Sequence, residues 1–351
     1  MPTTSTHAPP INVAVAVIAY HANVHTPPRY LLARRHAHQH QGNRYEFVGG
    51  KIEANETPRQ ALVREVAEEL GVDMVNNRWA RLGVITHDYG DKCVRLHVFY
   101  TQATAEQHKH LHGQGTEGQA LVWATHADIV AGSYPLPDAN AQIVEWLALP
   151  TIITISRDVA AAANALPHRE TWLNFYTQTL PHNAWLYLRL PYVLTQPDGQ
   201  QAYWAIFQAL QACRPDITFL LSYQAWDASA KRDVALTHVV LHLNHHQLIQ
   251  SAPQDLPAAY RYFASCHDTN SLSKLNQLAQ SHTVMGAFLS PVLPTPTHPD
   301  ALTLGWQGFG VLAATSDVPL FALGGMSVAD VANAQAQHGY GVAGIRLLDS
   351  L

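Results

Sequence analysis

Apolar and polar positions follow two different rhythms along this 351-residue chain. In the first 150 residues a β-branched run from Val13 to Ile18 and a shorter piece from Tyr30 to Ala33 read as strands. A loop with paired glycines, Gly49-Gly50, leads into a helix predicted over 57–70, with Thr57 as its cap, Pro58 in its first turn and Gly71 as its stop. The spacing predicts further strands near 81–86, 94–100 and 120–123 and an amphipathic helix over 139–147. Mixed strands around one dominant helix make an α+β sandwich.

After Pro150 the pattern changes to short, continuous apolar runs at 152–155, 185–188, 217–221, 236–241, 260–264, 283–288, 319–323 and 341–345, with helical stretches between them. Eight such runs predict a (β/α)8 TIM barrel, a fold that commonly takes ~250 residues; a doubly wound open sheet is the other arrangement this rhythm allows. We therefore divide the chain into domains 1–150 and 151–351, with no low-complexity linker between them.

Apolar residues at 47% suffice for real cores, and charged residues at 13%, against roughly 25% in an average soluble domain, argue against long disordered tails or coiled coils. With 21 basic and 26 acidic residues, net −5, there is no surplus of positive charge to grip a nucleic-acid polymer. Cys93, Cys213 and Cys266 are too scattered for a disulfide framework or a zinc knuckle and suit a reducing compartment. The apolar run 11–20 is too short to span a bilayer and lacks the basic flank of a secretion signal, so we expect a cytoplasmic protein without membrane partners. The 22 histidines are compatible with metal binding or with a polar surface of low formal charge.

The richest chemistry lies on the predicted helix 57–70. Glu65, Glu68 and Glu69 fall on one stripe, with Leu62, Val66 and Leu70 on the opposite one. Like charges at this spacing repel, and the stripe itself holds no cation to offset them unless metal ions share the site. Oxygen ligands on a rigid helix are what Mg²⁺ prefers, although a Glu-rich stripe also serves as a plain solvated face. Arg64, eight residues after Glu56, can tie the preceding loop back onto the helix.

Gly50, Glu56, Arg64-Glu65-Val66, Glu68-Glu69 and Gly71-Val72 together match the Nudix box at every defining position. The segment resembles the Nudix hydrolases, which split a nucleoside diphosphate linked to another moiety by metal-assisted attack of water on phosphorus. Arg34-Arg35, His40 and Glu46-Phe47 ahead of Gly49-Gly50-Lys51, Glu117-Gly118-Gln119 with Trp123, and Asp138-Ala139-Asn140 are similar to the MutT-type 8-oxo-dGTP diphosphatases. That resemblance implies that Arg35 and His40 contact the nucleotide, that the backbone of Glu46, Phe47, Val48 and Gly49 frames the base, and that Asn140 bonds the purine edge. It implies metal ligation by Glu65, Glu68, Glu69 and the carbonyls of Gly49 or Gly50, with Glu117 as a further ligand or base. The cofactor would be Mg²⁺, with Mn²⁺ as a substitute, and the partner a free purine nucleoside triphosphate. Val48 departs from the family, which usually has proline there. From the residues alone, His40 also fits a surface cluster with His36 and His38, and Asn140 also fits a helix cap.

The second half resembles thiamine phosphate synthase and its thiazole tautomerase relatives, on Ser265-Cys266-His267, the run Pro294-Thr295-Pro296-Thr297 and Gly324-Gly325. In such barrels the late loops bind phosphate, which implies that role for Thr295, Thr297, Gly324 and Gly325. Arg189 fits the basic residue after the second strand, but Pro191 and His298 stand where lysines are expected, and Ser222-Tyr223 and Asn244-His245-His246 where acidic metal ligands are. The leading expectation is Mg²⁺-dependent hydrolysis of 8-oxo-dGTP to the monophosphate and pyrophosphate, which removes a mutagenic precursor. The alternatives are a Nudix hydrolase of a thiamine-pathway pyrophosphate, and a regulatory barrel that binds thiamine phosphate with residual tautomerase or synthase activity.

Overall fold

The computed structural model describes residues 9–23, 26–39, 41–158, 166–226, 238–295 and 302–348. They form two compact units, Met1–Leu149 and Pro150–Leu351.

In the first unit a mixed sheet is built on β1 (Ile11–Tyr20), which pairs antiparallel with β2 (Arg29–Arg34) and β4 (Val48–Lys51). The short β3 (Tyr45–Glu46) pairs with β2, and helix α1 (Pro58–Leu70) follows β4. On its other side β1 runs parallel to β6 (Cys93–Gln102), whose hairpin partner is β5 (Ala80–Asp88). Helix α2 (Ala105–His110), β7 (Gly113–Gln114) and β8 (Ala120–Thr125) complete the sheet edge beside β2. Helix α3 (His126–Val130), a 3₁₀ turn at Asp138–Asn140 and helix α4 (Ala141–Trp146) end the unit.

The two faces of β1 are sorted by its period of two. Ala14, Ala16 and Ile18 join the core with Leu62, Val66 and Leu70 of α1, and the small alanines let the helix lie close. Ile11, Val13 and Val15 face the other way and floor a cavity. Val48 falls on the helix side of β4, 1% exposed within that same core.

The second unit is a closed barrel of parallel strands, β9 (Ile152–Ile155), β10 (Trp185–Leu188), β11 (Thr218–Ser222), β12 (Val239–Leu243), β13 (Arg261–Cys266), β14 (Thr283–Leu289), β15 (Leu320–Leu323) and β16 (Gly341–Gly344), with β16 closing on β9. The described residues thus form the eight-stranded barrel, and the open-sheet arrangement is excluded. Helices α5 (Leu166–Thr179), α6 (Pro191–Thr195), α7 (Gly199–Cys213), α8 (His245–Gln250), α9 (Thr269–Ala279), α10 (Gly305–Ala313) and α11 (Val331–Ala336) lie between the strands. Parallel strands are buried on both faces and so read as continuous apolar runs. Of the run predicted at 236–241, residues 236 and 237 lie outside the described residues; the strand Val239–Leu243 carries on past 241 through His242, a polar residue that ends the sequence pattern. His242 is 2% exposed, sits beside Tyr187 and Phe288, and its Nε2 lies 2.9 Å from Ser265 Oγ.

Candidate active site

Helix α1 forms where its local sequence says it should. The Thr57 hydroxyl accepts from the Gln60 N–H, the Gln60 side chain accepts from the Thr57 N–H at 2.9 Å, and Gly71 ends the helix at φ 66 with its N–H on Ala67 O. Burial of Ala61, Leu62, Val66 and Leu70 leaves the acidic stripe outward. Arg64 corrects the expectation that this stripe lacks a local counter-charge. Its Nε and Nη2 hold both oxygens of Glu56 at 2.8 and 2.9 Å, Nη2 also donates to Lys51 O, and Nη1 reaches Glu65 at 2.9 Å and Glu68 at 3.0 Å. The Arg64 bonds, helped by the Glu53 N–H, hold the Glu56 carboxyl down to about 2.

Glu69 has no such partner. Burial, reinforced by the charges of Glu46, Glu65 and Glu117, pushes its carboxyl up to about 8, against a weaker opposing pull from Arg35. Burial also raises Glu65, with Arg64 opposing. Glu117 is exposed on a turn that Gln119 pins to the helix: the Gln119 amide accepts from the Glu117 N–H at 3.1 Å and donates to Glu69 O at 3.1 Å. Thr116 adds a hydroxyl bond to Glu68 O. Gln119 is a positioning residue to which the sequence assigned no role beyond the family resemblance of its loop; one amide in a Gly-rich loop carries little signal.

The donor set here fits a hard divalent cation: it is all oxygen, and a cation would offset the burial and, after it, the neighbouring negative charges that keep Glu69 protonated near neutral pH. Among the described residues, no three acidic, histidine or cysteine side chains already converge as a ligand set. Arg64 pairs with both Glu65 and Glu68.

Gly50 joins this cluster to the cavity, since it lines the cavity wall and a Cβ added to it would lie 2.1 Å from Glu65 Cδ. The cavity, about 240 Å³, has an apolar floor to which Val94 and Leu96 add. One wall carries Arg35, Glu46, Phe47 and Gly49; another carries Pro137, Ala139 and Asn140. Arg35 and Glu46 form a short ion pair, and burial raises the Glu46 carboxyl while Arg35 opposes the rise. Asn140, 6% exposed, lines the cavity and, although it stands at the N-cap of α4, makes no side-chain capping bond. The Val48 side chain is turned into the core by the alternation along Phe47-Val48-Gly49, which agrees with an expectation that concerned its backbone alone. His40 lies outside the described residues. Tyr89 and Lys92, from the tip of the β5–β6 hairpin, also line the cavity. Only the register of β6 on β1 brings them there, so their own sequence, Tyr-Gly-Asp-Lys, reads as a plain turn.

In the barrel, Gly324 (φ 102) and Gly325 (φ 68) lie under the segment that follows β14. Val292 and Leu293 donate to Leu323 O and Gly324 O, and a Cβ on Gly325 would stand 2.8 Å from Pro294 O. The smallness of this pair therefore serves close packing against the protein's own loop. Thr295 ends that described segment, and Thr297 and His298 lie outside the described residues. Arg189 directly follows β10, with its backbone bonded to Ser156. His267 Nδ1 is 2.7 Å from Ser290 O, and its ring lies 4.9 Å from that of His245. Asn244 caps α8 through Gln247, which gives its position a structural use without a carboxylate.

Residues 10–147 match the family model of the NUDIX domain, and residues 241–348 that of thiamine monophosphate synthase. The chain is 34% identical to CTP pyrophosphohydrolase of Escherichia coli over 122 residues, 33% of this chain and 80% of that protein. It is 39% identical to 8-oxo-dGTP diphosphatase of Proteus vulgaris over 90 residues, 25% of this chain and 73% of that protein. It is 29% identical to the Escherichia coli 8-oxo-dGTP diphosphatase over 137 residues, 39% of this chain and 95% of that protein. The chain belongs to the Nudix family through its N-terminal domain, and a thiamine phosphate synthase-like barrel follows. Members of that family are hydrolases of acid anhydrides that generally use divalent metal ions. Among the described residues no helix is long and apolar enough to cross a membrane.

Proposed function

We propose that the N-terminal domain hydrolyses 8-oxo-dGTP and related oxidised purine nucleoside triphosphates to the monophosphate and pyrophosphate, and so removes a mutagenic precursor from the free nucleotide pool. One observation carries this reading: a single residue, Gly50, belongs both to the wall of a base-sized cavity and to the contact surface of the Glu65 carboxylate. A nucleotide whose base fills the cavity beside Phe47 and Asn140 then leads its phosphates past Gly49-Gly50 toward α1. Similarity to 8-oxo-dGTP diphosphatases supports the purine, and the amide of Asn140 offers a donor and an acceptor side by side for its edge.

Glu65, Glu68 and Glu69, with the carbonyl oxygens of Gly49 or Gly50, would hold Mg²⁺, or Mn²⁺ in its place. When bound, such ions neutralise phosphate charge and make water a better nucleophile. The chain's own residues prepare that chemistry. Arg64 keeps the loop 51–56 fixed on the helix, Gln119 keeps the Glu117 turn beside Glu69, and the Arg35–Glu46 pair holds one wall of the cavity. Glu69, protonated near neutral pH, must give up its proton on binding a cation, and Glu117, an exposed carboxylate, would take up a proton from the attacking water.

The test is release of pyrophosphate from 8-oxo-dGTP, dGTP and CTP, and of phosphate from a thiamine-pathway pyrimidine pyrophosphate, each with and without Mg²⁺. Preference for 8-oxo-dGTP by about tenfold or more in kcat/KM supports the reading. Preference for CTP or the pyrimidine pyrophosphate overturns it.

A further inference from the structure

One polar group on the cavity wall remains unexplained. Gln41 lines the cavity, and its side-chain carbonyl oxygen is sealed from solvent with no hydrogen-bond partner. Its neighbours are accounted for: Arg35 and Glu46 hold each other, and the Tyr89 hydroxyl lies against the Ala139 backbone amide. A buried acceptor left unmet costs the desolvation of that oxygen, so its retention on a ligand cavity needs a reason.

The backbone holds Gln41 there deliberately. Gln41 and Asn43 both adopt left-handed conformations, φ 56 and φ 66, which are uncommon for residues other than glycine. The loop between β2 and β3 is tied down on either side, by Asn43 N–H to Arg35 O at 3.1 Å and Gly42 N–H to Gln39 O at 2.9 Å. Gly42 packs so closely that a Cβ on it would lie 2.5 Å from Ala37 O. Backbone strain kept in place beside the cavity presents an amide oxygen that no protein donor meets.

We infer that Gln41 is a specificity-determining residue whose amide oxygen accepts a hydrogen bond from the exocyclic amino group of the substrate's base. The group is on the base and not on the sugar, because Gln41 shares its cavity with Phe47, Pro137, Ala139 and Asn140, a set of apolar and amide surfaces suited to a flat heterocycle. An acceptor with no protein partner discriminates strongly: a base that lacks the amino group enters the cavity and leaves the oxygen unmet.

The inference rests on the nucleotide reading of the cavity, and its test is separated from hydrolysis by measuring binding of product monophosphates. Calorimetry on the full chain compares 8-oxo-dGMP with 8-oxo-dIMP, which lacks the 2-amino group, and CMP with UMP, which lacks the 4-amino group. The wild-type protein should bind the amino-bearing member of one pair about tenfold more tightly or better. Gln41→Met, of similar size and without the acceptor, should bring that ratio below about twofold while the partner lacking the amino group binds as before. The pair that shows the preference tells purine from pyrimidine, so failure of the purine reading is seen separately from failure of the Gln41 contact. A wild-type ratio below about twofold in both pairs, or a ratio that survives in Gln41→Met, overturns the inference.

Discussion

The Glu65 carboxylate fills the space that a side chain on Gly50 would need, with Oε1 and Oε2 both 2.2 Å from where a Cβ would stand. The glycine is thus a condition for the position of a carboxylate. Because the carboxylate is the free end of a flexible side chain, Gly50→Ala should move it and leave the fold in place. The expected result is a fall in kcat/KM of about 100-fold with a thermal midpoint near the wild type, read by steady-state kinetics and a melting curve.

The neighbouring glycine fails differently. A Cβ on Gly49 would stand 2.0 Å from the backbone oxygen of Ala14, its partner strand, and Gly49 has φ 155. Gly49→Ala should therefore break the β1–β4 pairing and cost about 3 kcal/mol or more of stability. Denaturant unfolding of the two variants side by side checks the contrast; equal stability loss would refute it.

Glu69 should show opposite effects on stability and activity. Its carboxyl is raised to about 8 in the folded protein, so its contribution to stability is full below its ordinary 4.5 and is lost as pH rises toward 8. In metal-free buffer at pH 8, Glu69→Gln should raise the thermal midpoint by about 3 °C, with little change at pH 4.5. The same variant should lose hydrolysis. A lowered midpoint at pH 8 would contradict the burial argument.

Cation binding must displace the Glu69 proton, so Mg²⁺ binding should release protons below pH 8 and strengthen as pH rises from 6 to 8. Calorimetry in buffers of different ionisation enthalpy measures the protons released, and a count of zero at pH 7 would exclude Glu69 as a ligand.

In the barrel, burial pushes His242 down to about 3, so the unfolded chain takes up a proton there that the folded one refuses. The stability it confers is whole above pH 6.5 and declines as pH falls toward 3. His242→Asn should flatten the loss of barrel stability between pH 6.5 and 4.5, as followed in thermal scans; an unchanged slope would assign the acid sensitivity elsewhere.

Local features were legible in the sequence. The caps of α1, the inward stripe Leu62, Val66 and Leu70, and the bond from Arg64 to Glu56 all depend on spacing within one turn or one loop. The barrel was legible because each parallel strand is covered on both sides and so repeats one simple signal. The contacts of Arg64 with Glu65 and Glu68 follow from the same helical geometry, since Arg64 stands one and four residues before them. Gln41, Tyr89 and Lys92 were not legible: left-handed turn geometry and the pairing of β6 with β1 place them, and neither follows from neighbours in sequence. The inward turn of the Val48 side chain follows from the alternation of its own strand.

The closure of β16 on β9 makes the segment that kinship recognises smaller than the segment that must fold. Residues 241–348, the stretch matching thiamine monophosphate synthase, start inside β12 and omit β9, β10 and β11. Cut out alone, they would leave β16 without Ile152, Ile153 and Thr154, and β12 without β11, two raw edges ready to pair with other chains. Ancestry is written in the later strands, and solubility depends on the earlier ones.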